Sequence, residues 1–182
     1  GRPPKWLSIP LILTSNTWEN SKNELSHQDP SMAESMLSET SDISRVLFPP
    51  DFNSAAETIQ QLYQTQGQIW TLVIPKRKTP LLLNQEESKQ LLHNGGICIK
   101  WLGHDTVNSQ IALIAIGTYQ LLEVIDASRR LSEKNIAHTV SYISEPGKFR
   151  EARNEGEADF GATKTAQLSI VPNDIKHLIL AS

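Results

Sequence analysis

The stretch Q-I-A-L-I-A-I-G at residues 110–117 decides the fold class, because residues 111–116 form a continuous apolar run and a glycine follows it. Such a run is typical of a strand buried on both faces, which we predict at residues 110–116. A helical pattern follows from about Thr118 to Lys134, and another apolar run covers Thr139 to Ile143. Strand, helix and strand with short links indicate a right-handed βαβ unit in a parallel sheet. The chain is therefore predicted to be an α/β protein made of parallel-sheet, three-layer units.

The same alternation of strand-length runs and helical patterns extends toward the amino terminus. Asn53 is the predicted N-cap of one helix, and Gly67 is its predicted C-cap. The region from Glu145 to Thr165 is charged and lacks a clear period, so we expect an extended loop there. Further strands are predicted at residues 9–14, 44–48, 69–74, 96–102 and 178–181, and further helices at residues 31–37 and 85–93.

A polar stretch at residues 103–109 predicts a boundary between two lobes, residues 1–104 and residues 105–182. The last apolar strand needs neighbours to pair with, so we expect the second lobe to be truncated or to rely on a partner. The chain begins with Gly1 rather than Met, which is expected of a cut or processed chain or a fragment.

Composition narrows the possible partners and compartment. The 182 residues have a net charge of −3 and a mean hydropathy of −0.33, which favours neither nucleic-acid binding nor a membrane protein. No run approaches the roughly 20 apolar residues that a membrane span needs. The only cysteine, Cys98, lies in an apolar run and is predicted to be a buried structural thiol. A single thiol fits a reducing cytoplasm.

Two segments contain candidate functional residues. His27, in the run S-H-Q-D-P, follows the first predicted strand, and loops after parallel strands are where α/β folds bind ligands. A histidine there could transfer protons or contact phosphate, or the run could simply order a turn before the next helix. Lys76 directly follows another buried strand, where it could reach a phosphate or belong to a solvated loop.

Other motifs do not support a site. Residues 156–165 (G-E-A-D-F-G-A-T-K-T) miss the P-loop pattern, because Ala162 stands where the lysine should follow the second glycine. His93 and His104 match no zinc-binding spacing. The chain also lacks the G-x-S-x-G elbow of serine hydrolases.

Longer segments resemble the phosphoketolases, which are thiamine-diphosphate enzymes of the transketolase-like superfamily. The most specific are L-T-S-N-T-W-E-N-S-K-N-E-L-S-H-Q-D-P (residues 13–30), R-V-L-F-P-P-D-F-N (residues 45–53) and V-I-P-K (residues 73–76). Weaker likeness lies in E-P-G-K-F-R-E-A-R (residues 145–153) and I-K-H-L-I-L-A-S (residues 175–182). The resemblance implies that residues 1–104 are the end of a pyrimidine-binding lobe. It implies that residues 105–182 begin a C-terminal lobe.

The resemblance also implies chemistry and site residues. Phosphoketolases cleave xylulose 5-phosphate or fructose 6-phosphate with inorganic phosphate and release acetyl phosphate. By similarity, Asn23 and His27 are catalytic, while His27 and Lys76 bind substrate or phosphate. Thiamine diphosphate and Mg²⁺ are implied for the full enzyme. We expect this chain alone to bind neither and assign it no metal ligand, because the diphosphate-binding lobe does not appear in these 182 residues.

The loop departs from the family pattern in ways that leave two hypotheses. Lys22 stands where the family has its first loop histidine, Ser21 replaces an aspartate, and Glu24-Leu25 replaces a Gly-Phe pair. The first hypothesis is a phosphoketolase-like lyase in lineage that is inactive as this chain alone. The alternative is a non-catalytic pseudoenzyme domain for assembly or regulation. Because family enzymes resemble obligate dimers, we also expect a homo-oligomer.

Overall fold

The computed structural model of the chain describes residues 6–14 and 31–182. Its elements alternate between strand and helix along most of the chain, as the sequence predicts. In chain order they are β1 (Ile9–Leu13), α1 (Ser31–Ser38), β2 (Ser44–Leu47), α2 (Phe52–Leu62), β3 (Ile69–Val73), α3 (Gln85–Asn94), β4 (Gly96–Cys98), β5 (Ile111–Ala115), α4 (Thr118–Glu133), β6 (Thr139–Ile143), α5 (Glu155–Phe160), α6 (Lys164–Ile170) and β7 (His177–Ala181).

The first sheet has three parallel strands in the order β1-β3-β2. Leu13 pairs with Val73 at the carboxyl end of the sheet, and Ser44 pairs with Ile69 at the other end. Helix α1 packs on this sheet through Ala33, which contacts the buried side chains of Val46 and Val73. All strands of the sheet therefore have their carboxyl ends at one edge.

The second sheet has four strands in the order β4-β6-β5-β7. Strands β5, β6 and β7 are parallel, and only β4 runs antiparallel, at one edge. The predicted strand-helix-strand unit is β5, α4 and β6, and its strands pair in parallel through residues such as Leu113 and Val140. The buried core of this lobe includes Leu113, Leu121 and Tyr142. The predicted α/β class with parallel sheets is confirmed.

Helix α3 connects the two cores. Leu91 belongs to the core of the second sheet, and the next residue, Leu92, packs against the core of the first sheet. Strand β4 follows directly and pairs with β6 in the second sheet. The chain thus passes from one sheet to the other before residue 96, while the division at residue 104 stays a prediction.

Helix α2 differs from its prediction at both ends. Its N-cap is Asp51, not Asn53, because the Asp51 carboxylate accepts a hydrogen bond of 2.9 Å from the backbone N–H of Ser54. The helix ends at Leu62, so Gly67 is not its C-cap. Gly67 instead has a φ of 75° in the turn that leads to β3. Glycine adopts this conformation without the Cβ penalty, so the pattern correctly marked a stop but not which residue caps the helix.

The prediction of an extended loop from Glu145 to Thr165 is wrong. A short 3-10 helix spans Pro146–Phe149, and α5 and α6 follow. Asn154 caps α5 and Thr163 caps α6 through side-chain hydrogen bonds to the backbone. Helices of six and seven residues are too short to show a clear apolar period, which explains why the sequence pattern missed them.

The region of Cys98 also differs from its prediction. Strand β4 ends at Cys98 rather than at Leu102, and the thiol is half-buried rather than buried. Strand β4 lies at an edge of its sheet, and on one side no strand of residues 6–14 and 31–182 pairs with it. No helix within the described ranges is both long enough and apolar enough to cross a membrane.

Candidate functional site

Lys76 lies near the carboxyl edge of the first sheet, and its predicted role in binding phosphate stays a prediction. The backbone N–H of Ile74 donates a 3.0 Å hydrogen bond to the carbonyl of Leu13, which keeps the ends of β3 and β1 side by side. Lys76 lies three residues beyond the end of β3 and is exposed. Asn23 and His27 lie outside the described residues, so their predicted proximity to Lys76 stays a prediction.

An open cleft of about 430 Å³ lies at the same edge. It is bounded by the turn before α2 and by the segment that follows β3. Its walls combine apolar side chains with the cationic side chains of Arg77 and Lys78, a combination suited to an anion with a small apolar part. The lining residues are Pro49, Asp51, Phe52, Ala55, Ile74, Pro75, Arg77, Lys78, Thr79 and Leu81.

Asp51 fixes the far end of the loop that carries the three basic residues 76–78. One carboxylate oxygen accepts from the backbone N–H and hydroxyl of Ser54, at 2.9 and 2.7 Å. The other accepts from the backbone N–H groups of Leu82 and Leu83, at 2.7 and 2.8 Å. Asn53, the predicted cap, donates from its side-chain amide to the carbonyl of Leu83 at 2.7 Å. The turn before α2 thus shapes one wall of the cleft.

The segment 145–153, which we call the interlobe strap, connects the two lobes. Its first residue, Glu145, accepts two hydrogen bonds from Arg45 of β2, at 2.7 and 2.8 Å. The Arg45 guanidinium also stacks over the Trp70 ring of β3, 3.6 Å from the ring centroid. A cation stacked on an indole and paired bidentately with a carboxylate is held in one geometry.

The end of the strap caps the carboxyl terminus of α1. The Arg150 guanidinium donates to the carbonyl of Leu37 at 2.5 Å, and that of Arg153 donates to the carbonyl of Ser38 at 2.7 Å. Both arginines also contact the buried carboxylate of Glu157, Arg153 at 2.9 Å. The hydrogen bond from Arg153 is the main cause that holds the pKa of Glu157 far below its usual value. Cations at a helix C-terminus satisfy its free carbonyls and favour the helix dipole.

A second cavity of about 350 Å³ lies where the strap meets α2 and α3. Lys148 of the strap donates from Nζ to the carbonyl of His93 at 2.7 Å and lies 4.9 Å from the Phe160 ring centroid. Burial is the main cause that lowers the pKa of Lys148, against the opposing effect of Glu145. This cavity is lined by Arg45, Glu57, Gln61, Lys89, Leu92, His93, Lys148 and Phe160.

Tyr142 of β6 connects the second lobe to the double-proline turn. Its hydroxyl donates to the carbonyl of Phe48 at 2.5 Å and accepts from the backbone N–H of Gly117 at 3.2 Å. Burial raises the pKa of this phenol well above its usual value. Thr118 adds a bond of 3.3 Å to the carbonyl of Pro49. Pro49 has no backbone N–H to donate, but its carbonyl accepts this hydrogen bond from the second lobe.

The described histidines do not form a catalytic constellation. His138 is fully buried, with Ser128 Oγ 2.7 Å from Nε2 and the Ile136 carbonyl 2.8 Å from Nδ1. Because Nδ1 contacts a carbonyl rather than a carboxylate, the pair lacks the third member of a hydrolase triad. Within residues 6–14 and 31–182, no group of three His, Cys, Asp or Glu side chains could hold a metal ion.

The sequence analysis missed the roles of Asp51, Arg45 and Lys148. Asp51 carried a signal, since an aspartate three residues before a serine in a helical pattern is a good N-cap. Arg45 and Glu145 are 100 residues apart, and no local pattern could pair them. Lys148 lies in a segment that the sequence predicted to be a loop.

Comparisons with known proteins agree with the predicted resemblance. A model of the D-xylulose 5-phosphate/D-fructose 6-phosphate phosphoketolase family matches residues 1–65. A probable phosphoketolase of Schizosaccharomyces pombe is 31% identical over 121 residues, which are 65% of this chain and 15% of that protein. A probable phosphoketolase of Bifidobacterium animalis subsp. lactis is 23% identical over 173 residues, which are 90% of this chain and 21% of that protein.

The fold is similar to that of a transketolase. A transketolase mutant from Pichia stipitis superimposes with a TM-score of 0.70 at 18% identity, and the match covers 96% of this chain and 23% of that one. The resemblance to phosphoketolases is confirmed, and so is the transketolase-like α/β fold. The chain spans 15% and 21% of the length of the two curated relatives.

Proposed function

We propose that this chain supplies part of a phosphoketolase-type site and is inactive without the remaining lobes. The proposed reaction is the cleavage of xylulose 5-phosphate or fructose 6-phosphate by inorganic phosphate, giving acetyl phosphate. The observation that carries the proposal is the alignment of β1 with β3 at one carboxyl edge. Lys76 follows β3, and the segment that contains Asn23 and His27 begins two residues after the end of β1.

In this proposal Lys76 binds a phosphate group of the substrate or inorganic phosphate. The ammonium is a compact cation on a flexible stem, and Arg77 and Lys78 raise the positive potential of the adjoining cleft. His27 would exchange protons with the reacting phosphate or sugar near neutral pH, and Asn23 would orient the substrate by hydrogen bonding. Exclusion of water would require more wall than this open cleft provides.

Thiamine diphosphate would supply the carbanion chemistry in the full enzyme. The described residues contain no cluster of three His, Cys, Asp or Glu side chains, and we assign neither the cofactor nor the metal to them. We propose instead that residues 1–104 correspond to the end of a pyrimidine-binding lobe and residues 105–182 to the start of a C-terminal lobe. The presence of two separate sheets supports that correspondence. Strand β4 lies before residue 104 in the chain but pairs within the second sheet.

We also propose that the chain works as a cytoplasmic homo-oligomer. The strand β7 lies at an edge of its sheet, and the side chains of Leu178, Ile179 and Leu180 are exposed. An apolar strand edge is a favourable place for another chain to pair. Light scattering over a dilution series tests this, since a stable monomer at micromolar concentration would contradict it.

A second candidate function is a non-catalytic domain for assembly or regulation. The observation that favours it lies in the loop, where Lys22, Ser21 and Glu24 replace the residue types that phosphoketolases use. An ordinary lysine, with a pKa of about 10.4, is a poor proton shuttle at neutral pH. Such a domain would retain the fold and its contacts without the proton transfer.

One reconstitution experiment separates the two functions. The chain is mixed with a purified polypeptide that carries the remaining phosphoketolase lobes, together with thiamine diphosphate, Mg²⁺, inorganic phosphate and fructose 6-phosphate. Acetyl phosphate is measured as its hydroxamate. We expect none from the chain alone and some from the mixture. Acetyl phosphate from the chain alone would contradict the requirement for the other lobes.

Substitutions then locate the site. Lys76→Ala should lower the activity of the mixture, whereas Lys164→Ala, at an exposed position on α6, should leave it unchanged. Lys22→His should raise it, because it restores a residue that titrates near neutral pH. If the folded chain forms a complex but gives no acetyl phosphate even as Lys22→His, the non-catalytic function is the better account.

A further inference from the structure

Lys148 differs from the exposed lysines in how firmly its amine is positioned. Its stem crosses the C-cap of α3 so closely that a Cβ added at Gly95 would lie 2.8 Å from Lys148 Cδ. Its tip is fixed by the 2.7 Å bond to the His93 carbonyl and by the Phe160 ring beneath it. The amine therefore lies at the wall of the 350 Å³ cavity in one orientation.

Besides Lys148 itself, the charged or titratable side chains that line this cavity come from α2, α3 and β2. Glu57 lies on α2, Lys89 and His93 on α3, and Arg45 on β2. Arg45 is already paired with Glu145, so its charge is largely balanced. Lys89 is exposed and can attract an anion into the cavity, with Glu57 as the opposing charge.

We propose that Lys148 is a site of acylation by small acyl phosphates, with Lys89 attracting the phosphoryl group of the reagent. This inference does not depend on the proposed function, because the acyl phosphate can come from any source. The proposed acylation takes place at this cavity and not at the predicted site at Lys76.

The step is balanced without another reagent. The lone pair of neutral Nζ attacks the acyl carbonyl carbon and forms a C–N bond. The C–O bond to phosphate breaks, its electron pair leaves with the phosphate, and the released phosphate takes the amine proton. Burial lowers the pKa of Lys148, so a larger share of this amine is neutral near pH 7 than for a solvated lysine. The amide product keeps one N–H, which can still donate to the His93 carbonyl.

The test measures acetylation at each lysine. The 182-residue chain is incubated with acetyl phosphate at pH 7.5, and the extent of acetylation over time is measured by isotope-dilution mass spectrometry. Lys148 should react faster than the exposed lysines, because its amine is held at the wall of the cavity and the neutral fraction of an amine increases as its pKa falls. The reference lysines are Lys134, Lys164 and Lys176.

Two further experiments test whether the folded cavity and Lys89 cause the reactivity of Lys148. In urea the faster acetylation of Lys148 should disappear. If Lys148 still reacts faster in urea, the local sequence rather than the cavity causes the preference. The Lys89→Gln variant should slow the reaction of Lys148 with acetyl phosphate but not with acetic anhydride, which carries no phosphoryl group. Equal slowing with both reagents would overturn the role of Lys89. A rate at Lys148 no higher than at the three reference lysines would overturn the proposal as a whole.

Discussion

Arg45 and Glu145 form a two-pronged ion pair between the two lobes, with 2.7 Å from Nε to Oε1 and 2.8 Å from Nη2 to Oε2. Only 8% of the arginine side chain and 1% of the glutamate side chain are exposed. The pair joins a strand of the first sheet to the beginning of the interlobe strap. Each partner compensates the buried charge of the other, so neither can be removed alone without leaving an unpaired charge.

Glu145→Ala should therefore lower the free energy of unfolding by about 3–5 kcal/mol, the usual cost of leaving a buried charge without its partner. Urea unfolding followed by tryptophan fluorescence measures the change, since Trp70 lies under the Arg45 guanidinium. The double variant Arg45→Met, Glu145→Leu should lose less than Glu145→Ala, because no unpaired charge remains buried.

Arg129→Ala is the matched control for the buried ion pair. Arg129 pairs with Glu133 one turn along α4, and both side chains are more than 60% exposed. Its removal should cost only about 0.3–0.5 kcal/mol, as for other exposed pairs of this spacing. Equal losses from Glu145→Ala and Arg129→Ala would contradict the importance assigned to the buried pair.

Asp51→Ala should lower the free energy of unfolding by about 2–4 kcal/mol. The substitution removes the N-cap of α2 and also leaves the backbone N–H groups of Leu82 and Leu83 without their acceptor. Hydrogen exchange should become faster at those two amides, because the loop that follows the basic residues 76–78 loses its anchor. Chemical denaturation and amide exchange measured by mass spectrometry check the two parts.

Asn84→Ala is the control that separates the helix-capping role of Asp51 from its bonds to Leu82 and Leu83. Asn84 caps α3 through an exposed bond to the backbone N–H of Glu87, and its side chain bonds to no other loop in the described part of the chain. Its loss should cost about 1 kcal/mol, the ordinary value for an N-cap. If Asp51→Ala costs no more than Asn84→Ala, the loop contacts of Asp51 contribute little.

Much of the fold could be predicted because apolar runs determine which strands are buried. Six strands differ from their predicted limits by no more than one residue at either end, and one of them is Ile9–Leu13. The predicted helix from Thr118 to Lys134 also differs from α4 by one residue. The error at Glu145–Thr165 has a physical cause, since α5 and α6 are stabilised by caps and by contacts to distant elements rather than by a repeated apolar face.

The candidate site could be predicted only in part. Lys76 lies three residues beyond a buried strand, and a lysine near a carboxyl edge is a local signal. The cleft wall depends on Asp51, whose bonds to Leu82 and Leu83 span about 30 residues and leave no trace in a local pattern. Lys148 owes its lowered pKa to burial beside α3, which depends on tertiary packing. Residue types thus indicate where a site could be, and long-range contacts determine its shape.

Glu157→Gln should make the chain less stable at neutral pH and less sensitive to acid. In the folded chain the hydrogen bond from Arg153 lowers the pKa of the Glu157 carboxyl from its ordinary value of 4.5. The ionised carboxylate therefore contributes its full stabilisation of the fold above pH 4.5. The stabilisation is lost as pH falls below 4.5 toward the lower folded pKa. The difference between Glu157→Gln and the unaltered chain should therefore shrink between pH 5 and pH 3, as urea unfolding at each pH would measure.

Glu123→Gln is the control for the acid series, because Glu123 is exposed on α4. Its stability should follow that of the unaltered chain at every pH. A constant difference between Glu157→Gln and the unaltered chain from pH 7 to pH 3 would contradict the assignment of the acid response to this carboxyl.

Tyr142→Phe should lower the free energy of unfolding by about 1–3 kcal/mol, although only one oxygen atom is removed. The buried carbonyl of Phe48 loses its donor, and the backbone N–H of Gly117 loses its acceptor. Gly117 has a φ of 100°, a conformation that glycine alone adopts readily, so this amide cannot easily turn toward another acceptor. Amide exchange at Gly117 should therefore become faster together with the loss of stability.

Tyr63→Phe is the matched control for that substitution, because the side chain of Tyr63 is 66% exposed at the end of α2. At this exposure, removal of the hydroxyl should change the free energy of unfolding by less than about 0.5 kcal/mol. If Tyr142→Phe has an effect as small as Tyr63→Phe, the bridge between the double-proline turn and β6 does not stabilise the contact between the lobes. If exchange at Gly117 becomes faster only in Tyr142→Phe, the phenol holds the start of α4 in place.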